Sequence, residues 1–133
     1  MATIPLNHDN VNRRTKALVN MTNHSTGHLA EEYAAEYLKG RGYEIIGMNW
    51  KTRLCEIDVI ASKDKAVHFF EVKYRKNDLA GSGLEYITSA KLRQMKFAAQ
   101  MWVQENEWEG DYSLGAIEVS GPGFEITSFV PEL

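Results

Sequence analysis

Two apolar segments, residues 53–61 and 66–74, flank the polar stretch Ser62-Lys63-Asp64-Lys65, and both carry charges along their length. Runs of this length joined by a short polar link read as a β-hairpin. Side chains alternate between faces along a strand, so Glu56, Asp58 and Ile60 are expected on one face, with Cys55, Ile57, Val59 and Ala61 on the other. On the second strand Val67, Phe69, Glu71 and Lys73 share a face opposite His68, Phe70, Val72 and Tyr74. Glu71 and Lys73 therefore project side by side, ~6–7 Å apart. Both strands are apolar enough to lie inside a sheet. Charges there are costly to bury unless they are paired or hold an ion.

If the hairpin sets Asp58 beside Glu71, two carboxylates and one ammonium converge. Such a trio suits metal-assisted phosphodiester hydrolysis. Carboxylates hold a hard divalent cation through oxygen, the cation lowers the pKa of its water, and a lysine positions that water. The competing reading is a surface ion pair worth ~0–1 kcal/mol.

The flanking sequence supplies the other elements. From Ser25, Leu29, Ala30, Tyr33, Ala34, Tyr37 and Leu38 recur along one helical face, and Gly40 and Gly42 end the segment. A strand is expected over residues 43–49. After the hairpin, a loop containing Gly81 and Gly83 leads to a second helix over about 85–105. Further strands over 112–119 and 124–130 are parted by Gly121-Pro122-Gly123. The order predicts one α/β domain over residues 25–133, with a mixed central sheet flanked by helices.

Residues 1–24 are polar and without period, and are expected to be a mobile arm, mildly basic through Arg13, Arg14 and Lys16. Met21 near its end is a candidate translation start. The arm has no signal-peptide pattern and no run approaches a membrane span, so neither export nor a membrane partner is expected. The single cysteine, Cys55, forms no internal disulfide, and a cytoplasmic setting is the default.

The second helix adds to the acidic cluster. Leu84, Met95, Ala98, Ala99 and Trp102 lie along one stripe, and Lys91 falls within it, while Arg93, Gln100 and Gln104 lie opposite. A lysine there either snorkels or reaches the carboxylates. On the first helix Glu32, Glu36 and Lys39 share the polar face, whereas Glu31 borders the apolar one and is placed to point toward the sheet. The formal net charge of −3 speaks against a protein that coats DNA by charge alone. It is neutral toward a metal-dependent nuclease. His24, His28 and His68 have no zinc-like spacing with Cys55, and no phosphate loop or nucleophile elbow is present.

The segments Ala30 to Leu38, Gly42-Tyr43, Asn49-Trp50, Glu56-Ile57-Asp58-Val59-Ile60-Ala61 and Phe70-Glu71-Val72-Lys73-Tyr74-Arg75, with Lys91, resemble the YraN family of small bacterial proteins. That family is similar to the wider PD-(D/E)xK nuclease superfamily. The resemblance implies a restriction-endonuclease-like core in which Asp58 binds metal, Glu71 and Lys73 form the E-x-K pair, and Glu31 is the helix glutamate. It implies Mg²⁺ or Mn²⁺ bound by Asp58, Glu71 and the Val72 carbonyl, with Lys73 orienting water and Glu56 peripheral. The expected activity is endonucleolytic cleavage of nucleic acid, with structured DNA the expected substrate and Arg75, Lys76, Lys91 and the basic arm as candidate phosphate contacts. By analogy with branched-DNA enzymes of the superfamily, a homodimer is expected. Cys55 stands where the family usually has glycine, and Ser113-Leu114-Gly115 stands where it often has Arg-Phe-Asp. The alternative is a non-catalytic nucleic-acid- or protein-binding module on a nuclease scaffold, and a purely structural interaction protein is a third reading.

Overall fold

A computed structural model of the chain describes residues 23–76 and 85–133, so the expectations for residues 1–22, for Gly81 and Gly83, and for Leu84 lie outside it. The elements run α1 (Asn23–Gly40), β1 (Glu44–Lys51), β2 (Glu56–Lys63), β3 (Ala66–Arg75), α2 (Ser89–Glu105), β4 (Asp111–Ser120) and β5 (Glu125–Val130). The strands form one five-stranded sheet in the order β1-β2-β3-β4-β5. Neighbours are antiparallel except β3 and β4, which are parallel and joined through α2. This is the mixed α/β sheet predicted, with the architecture of a nuclease-like core. Among the described residues no helix is long and apolar enough to cross a membrane.

Helix α1 buries Leu29, Ala30, Ala34 and Leu38 against one face, where they meet Val59, Phe70, Ile117 and Val119. It ends where Gly42 takes φ +91°, with Tyr43 N–H donating to Leu38 O and Gly42 N–H to Lys39 O. That pair of bonds satisfies carbonyls the helix end would otherwise leave bare. On the opposite face α2 sets Ala98 and Ala99 against Ile57, Ile60, Val67 and Phe69. Covering both faces explains why β2 reads as a near-continuous apolar run.

Most boundaries shift by one or two residues from the sequence expectation, and three of the differences have a clear local reason. Strand β2 starts at Glu56 rather than residue 53, because the Thr52 hydroxyl accepts from the N–H groups of Leu54 and Cys55 and closes a turn there. Ser62 and Lys63 belong to the strand, since Asp64 and Lys65 alone make the reversal, at φ 52° and 66°. A two-residue turn with both φ positive matches the twist of the strands it joins. Helix α2 starts at Ser89 rather than residue 85, because the Thr88 side chain accepts from Lys91 N–H and caps it.

Candidate functional site

Besides the irregularities at Ile45/Gly47 and Glu118/Val119, strict alternation fails near the start of β2. Met48 and Val59 pair with each other and pack toward α1, whereas Trp50 and Ile57, the next pair along, pack toward α2. Both strands therefore change face together, at Asn49 and Asp58. Asn49 sits at φ 52°, a left-handed conformation that asparagine tolerates better than most residues. This corrects the expectation that Ile57 would share a face with Val59.

At the same place β2 parts from β3. Their pairing runs from Lys63↔Ala66 to Val59↔Phe70 and goes no further. Strand β3 continues against β4 as far as Arg75. The Val72 N–H, left without a β2 carbonyl, donates to Asp58 Oδ2 at 2.8 Å. A strand residue's N–H and C=O point to the same neighbour, so the Val72 carbonyl also faces the gap. Asp58 thus completes the sheet edge with its side chain.

A cleft of about 600 Å³ opens at this parting, with Asp58, Glu71, Glu56 and Lys91 among its walls. Asp58 is 7% exposed, and its carboxyl is pushed up to about 8, first by burial and then by the negative charge of Glu71. The Val72 hydrogen bond opposes that rise, and Glu31 and Glu56 add to it. Four carboxylates therefore act on one another here.

The remaining predicted residues fall as follows. Glu71 lies on the α2 side as expected, and Lys91 reaches it from α2, Nζ to Oε1 at 2.9 Å. Of the two readings of that lysine, snorkelling or reaching the carboxylates, the structure adopts the second. Glu31 is buried, its carboxyl raised by burial against a hydrogen bond from Asn49 and the charge of His28, whose Nδ1 lies 3.4 Å away. Glu56 is exposed and pairs with Lys51 at 3.6 Å. Lys73 and Lys76 are exposed. Arg75 Nε donates to buried Glu118 at 2.6 Å, so this guanidinium is engaged within the sheet. Among the described residues, no three His, Cys, Asp or Glu side chains close on a single point.

Three contributors were not picked out from the sequence. Glu118 accepts from Arg75 and from Thr127, anchoring the far side of Glu71's strand. Its signal was a lone charge in the apolar run Ala116 to Val119. Asn49 leaves its buried Oδ1 without a hydrogen-bond partner, as Glu31 does its Oε2. Tyr86, before α2, has a buried hydroxyl with no hydrogen-bond partner, its ionisation raised by burial and by Glu71 and Glu118. Only the Asn-Trp pair hinted at Asn49, and nothing local marked Tyr86.

The departures from the family pattern have local causes. A Cβ on Gly115 would lie 2.5 Å from the Phe70 ring and 2.8 Å from the Val130 carbonyl. The aspartate often found in that stretch has no room here. Cys55 Sγ lies 3.2 Å from Thr52 Oγ1 and helps to close the β1–β2 turn.

Comparison with known proteins gives a consistent placement. Residues 30–119 match the uncharacterised protein family UPF0102. The UPF0102 protein VP0448 of Vibrio parahaemolyticus serotype O3:K6 (strain RIMD 2210633) is 36% identical over 102 residues, spanning 75% of this chain and 84% of the relative. A UPF0102 protein of Mycolicibacterium vanbaalenii is 38% identical over 84 residues, spanning 62% of this chain and 69% of that one. The matched region holds most of α1, the hairpin and its cleft, α2 and nearly all of β4, and the chain belongs to UPF0102, the YraN family.

Proposed function

We propose that this protein is a Mg²⁺- or Mn²⁺-dependent endonuclease that hydrolyses phosphodiester bonds of nucleic acid. The observation that carries the reading is the parting of β2 and β3, which leaves buried Asp58, crowded by the charge of Glu71, beside an open cleft. Crowded, desolvated carboxylates favour a group that brings positive charge. The donor set is all oxygen, and Glu31 Oε2 is buried and makes no hydrogen bond, with His28 Nδ1 3.4 Å away. A hard divalent cation fits those groups. Asp58, Glu71 and the Val72 carbonyl would hold it, with Glu31 in the outer shell. When bound it supplies Lewis-acid stabilisation of the phosphate and an acidified water.

The chain's own groups divide the remaining work. Lys73, on the same strand face as Glu71, orients the attacking water. Lys91 pairs with Glu71 until the cation or a phosphate competes for one partner. Lys76 and Arg93 contact backbone phosphates, and DNA is the expected substrate.

A second reading has its own observation. The Lys91–Glu71 pair satisfies one carboxylate internally, as it would in a retired site that keeps the scaffold for binding nucleic acid or protein. Calorimetric titration of Mn²⁺ into wild type and an Asp58→Ala/Glu71→Ala variant separates the two, followed by assays on labelled duplex, single-stranded and four-way-junction DNA. Binding lost in the variant, with metal-dependent cleavage by wild type, is the expected result. Salt-sensitive DNA binding without metal uptake or turnover would establish the second reading instead.

A further inference from the structure

The acidic floor of the cleft is only part of its surface. Leu54, at the tip of the turn closed by Thr52, is 75% exposed, and Phe97 on α2 is 43% exposed. Both line the cleft that holds Asp58 and Glu71. Helix α2 carries two stripes, each at i, i+3, i+4 and i+7 spacing. Met95, Ala98, Ala99 and Trp102 form the inner stripe, Met95 also reaching the cleft, while Ala90, Arg93, Gln94 and Phe97 line the cleft. The second stripe leaves a large aromatic ring in water, against the usual polar outer face of a surface helix.

The lining is mixed. Arg93 supplies a guanidinium, Leu54 and Phe97 supply apolar surface, and Asp58, Glu71 and exposed Glu56 supply carboxylates, with exposed Arg53 next to Leu54 in the chain. A nucleotide has matching parts: phosphate for the guanidinium groups, and the flat face of a base for Phe97 and Leu54. The volume of about 600 Å³ lies in the range that encloses one small-molecule-sized group. In an intact duplex both faces of each base are already stacked, so no base is free to lie there. An unpaired nucleotide meets little of that resistance.

From this mixed lining we infer that the cleft takes one unstacked nucleotide next to the scissile phosphate, so that the substrate class is nucleic acid with a gap, flap or single-stranded segment rather than fully paired duplex. The inference rests on the nuclease reading above and specifies its substrate.

The test is binding by the full chain, without divalent metal, to a duplex carrying 2-aminopurine opposite a gap and to the same duplex fully paired. Wild type is expected to bind the gapped form about 10-fold more tightly and to change the probe's fluorescence by stacking. Leu54→Ser/Phe97→Ala should lose that preference and the fluorescence change while binding paired duplex as wild type does, and Phe97→Trp should restore both. A ribo-oligonucleotide gapped likewise tells DNA from RNA. Equal binding of gapped and paired DNA by wild type overturns the inference, as does a double variant that keeps the preference. A wild-type dimer in sedimentation velocity that the double variant dissociates also overturns it, by assigning the patch to a second copy of the chain. Manganese calorimetry on the same proteins keeps the two levels apart. Intact metal uptake with no gap preference rejects only the nucleotide site, whereas absent uptake in wild type rejects the nuclease reading.

Discussion

The two ends of the β2–β3 hairpin are made by the same pair of strands and do opposite things. At the turn end, pairing is continuous from Lys63↔Ala66 to Val59↔Phe70, with Phe69 and Phe70 buried on opposite faces. At the other end the ladder stops, Asp58 takes a main-chain N–H in its side chain, and a cleft opens. One end satisfies its backbone with backbone and its side chains with apolar neighbours. The other satisfies backbone with a carboxylate and leaves charges to act on one another. A continuous ladder leaves no gap for a ligand, so chemistry is placed where pairing stops. The stable end holds the open end in position.

That contrast predicts that changes at the two ends separate stability from activity. The largest effect is expected in the paired stretch. Phe70→Ala, in its last pair and 1% exposed, should cost ~3–5 kcal/mol in urea unfolding. A loss below about 1 kcal/mol would show that the paired ladder is not the anchor.

At the open end, exposed Lys73→Ala should lower metal-dependent cleavage roughly 10²–10³-fold while leaving the unfolding midpoint unchanged. Turnover equal to wild type would remove Lys73 from its assigned role.

Asp58 connects the two ends through pH. Its carboxyl is held at about 8 against an ordinary 3.8, so between those values the folded chain keeps a proton that the unfolded chain has released. The stability this group contributes is full below 3.8 and is lost as pH rises through about 8. Without divalent metal, wild type should therefore weaken by on the order of 4 kcal/mol between about pH 5 and about pH 9. Asp58→Asn keeps an acceptor for the Val72 N–H but has no proton to lose, so its urea midpoint should be flatter over that range. A wild-type slope retained in Asp58→Asn would assign the pH dependence to another group.

The smallest effect is expected at Lys91. Its side chain is 35% exposed, and its pair with Glu71 should contribute no more than ~1 kcal/mol. Lys91→Met should leave stability nearly unchanged yet tighten Mn²⁺ binding several-fold, because a positive charge beside the cation is removed. Weaker uptake would mean that the lysine holds Glu71 in its binding geometry.

Much of this molecule was legible in its sequence. The stripe through Leu29, Ala34 and Leu38, the stop at Gly42 and the two apolar strands are patterns within a few residues of each other. Local periodicity and backbone freedom fix such features before any long-range contact forms. The grouping of Glu71 with Lys73 followed from the same alternation. The position of Lys91 in its stripe correctly limited its options to two.

What only the tertiary structure decided lies where local rules are broken by partners distant in the chain. Asn49 and Asp58 change face together because paired strands must turn together, and neither segment alone shows it. Asp58 faces Val72, 14 positions on, because β2 leaves β3 while β4 keeps β3 extended. Gly115 looks like a missing aspartate until Phe70 and Val130 are seen to fill the space. Glu118 and Tyr86 become part of the site through parallel pairing and the return of α2. A single sequence records which face a residue prefers and where the backbone can turn. Which strands part, and which buried oxygens meet, depends on contacts that close only when the whole sheet forms.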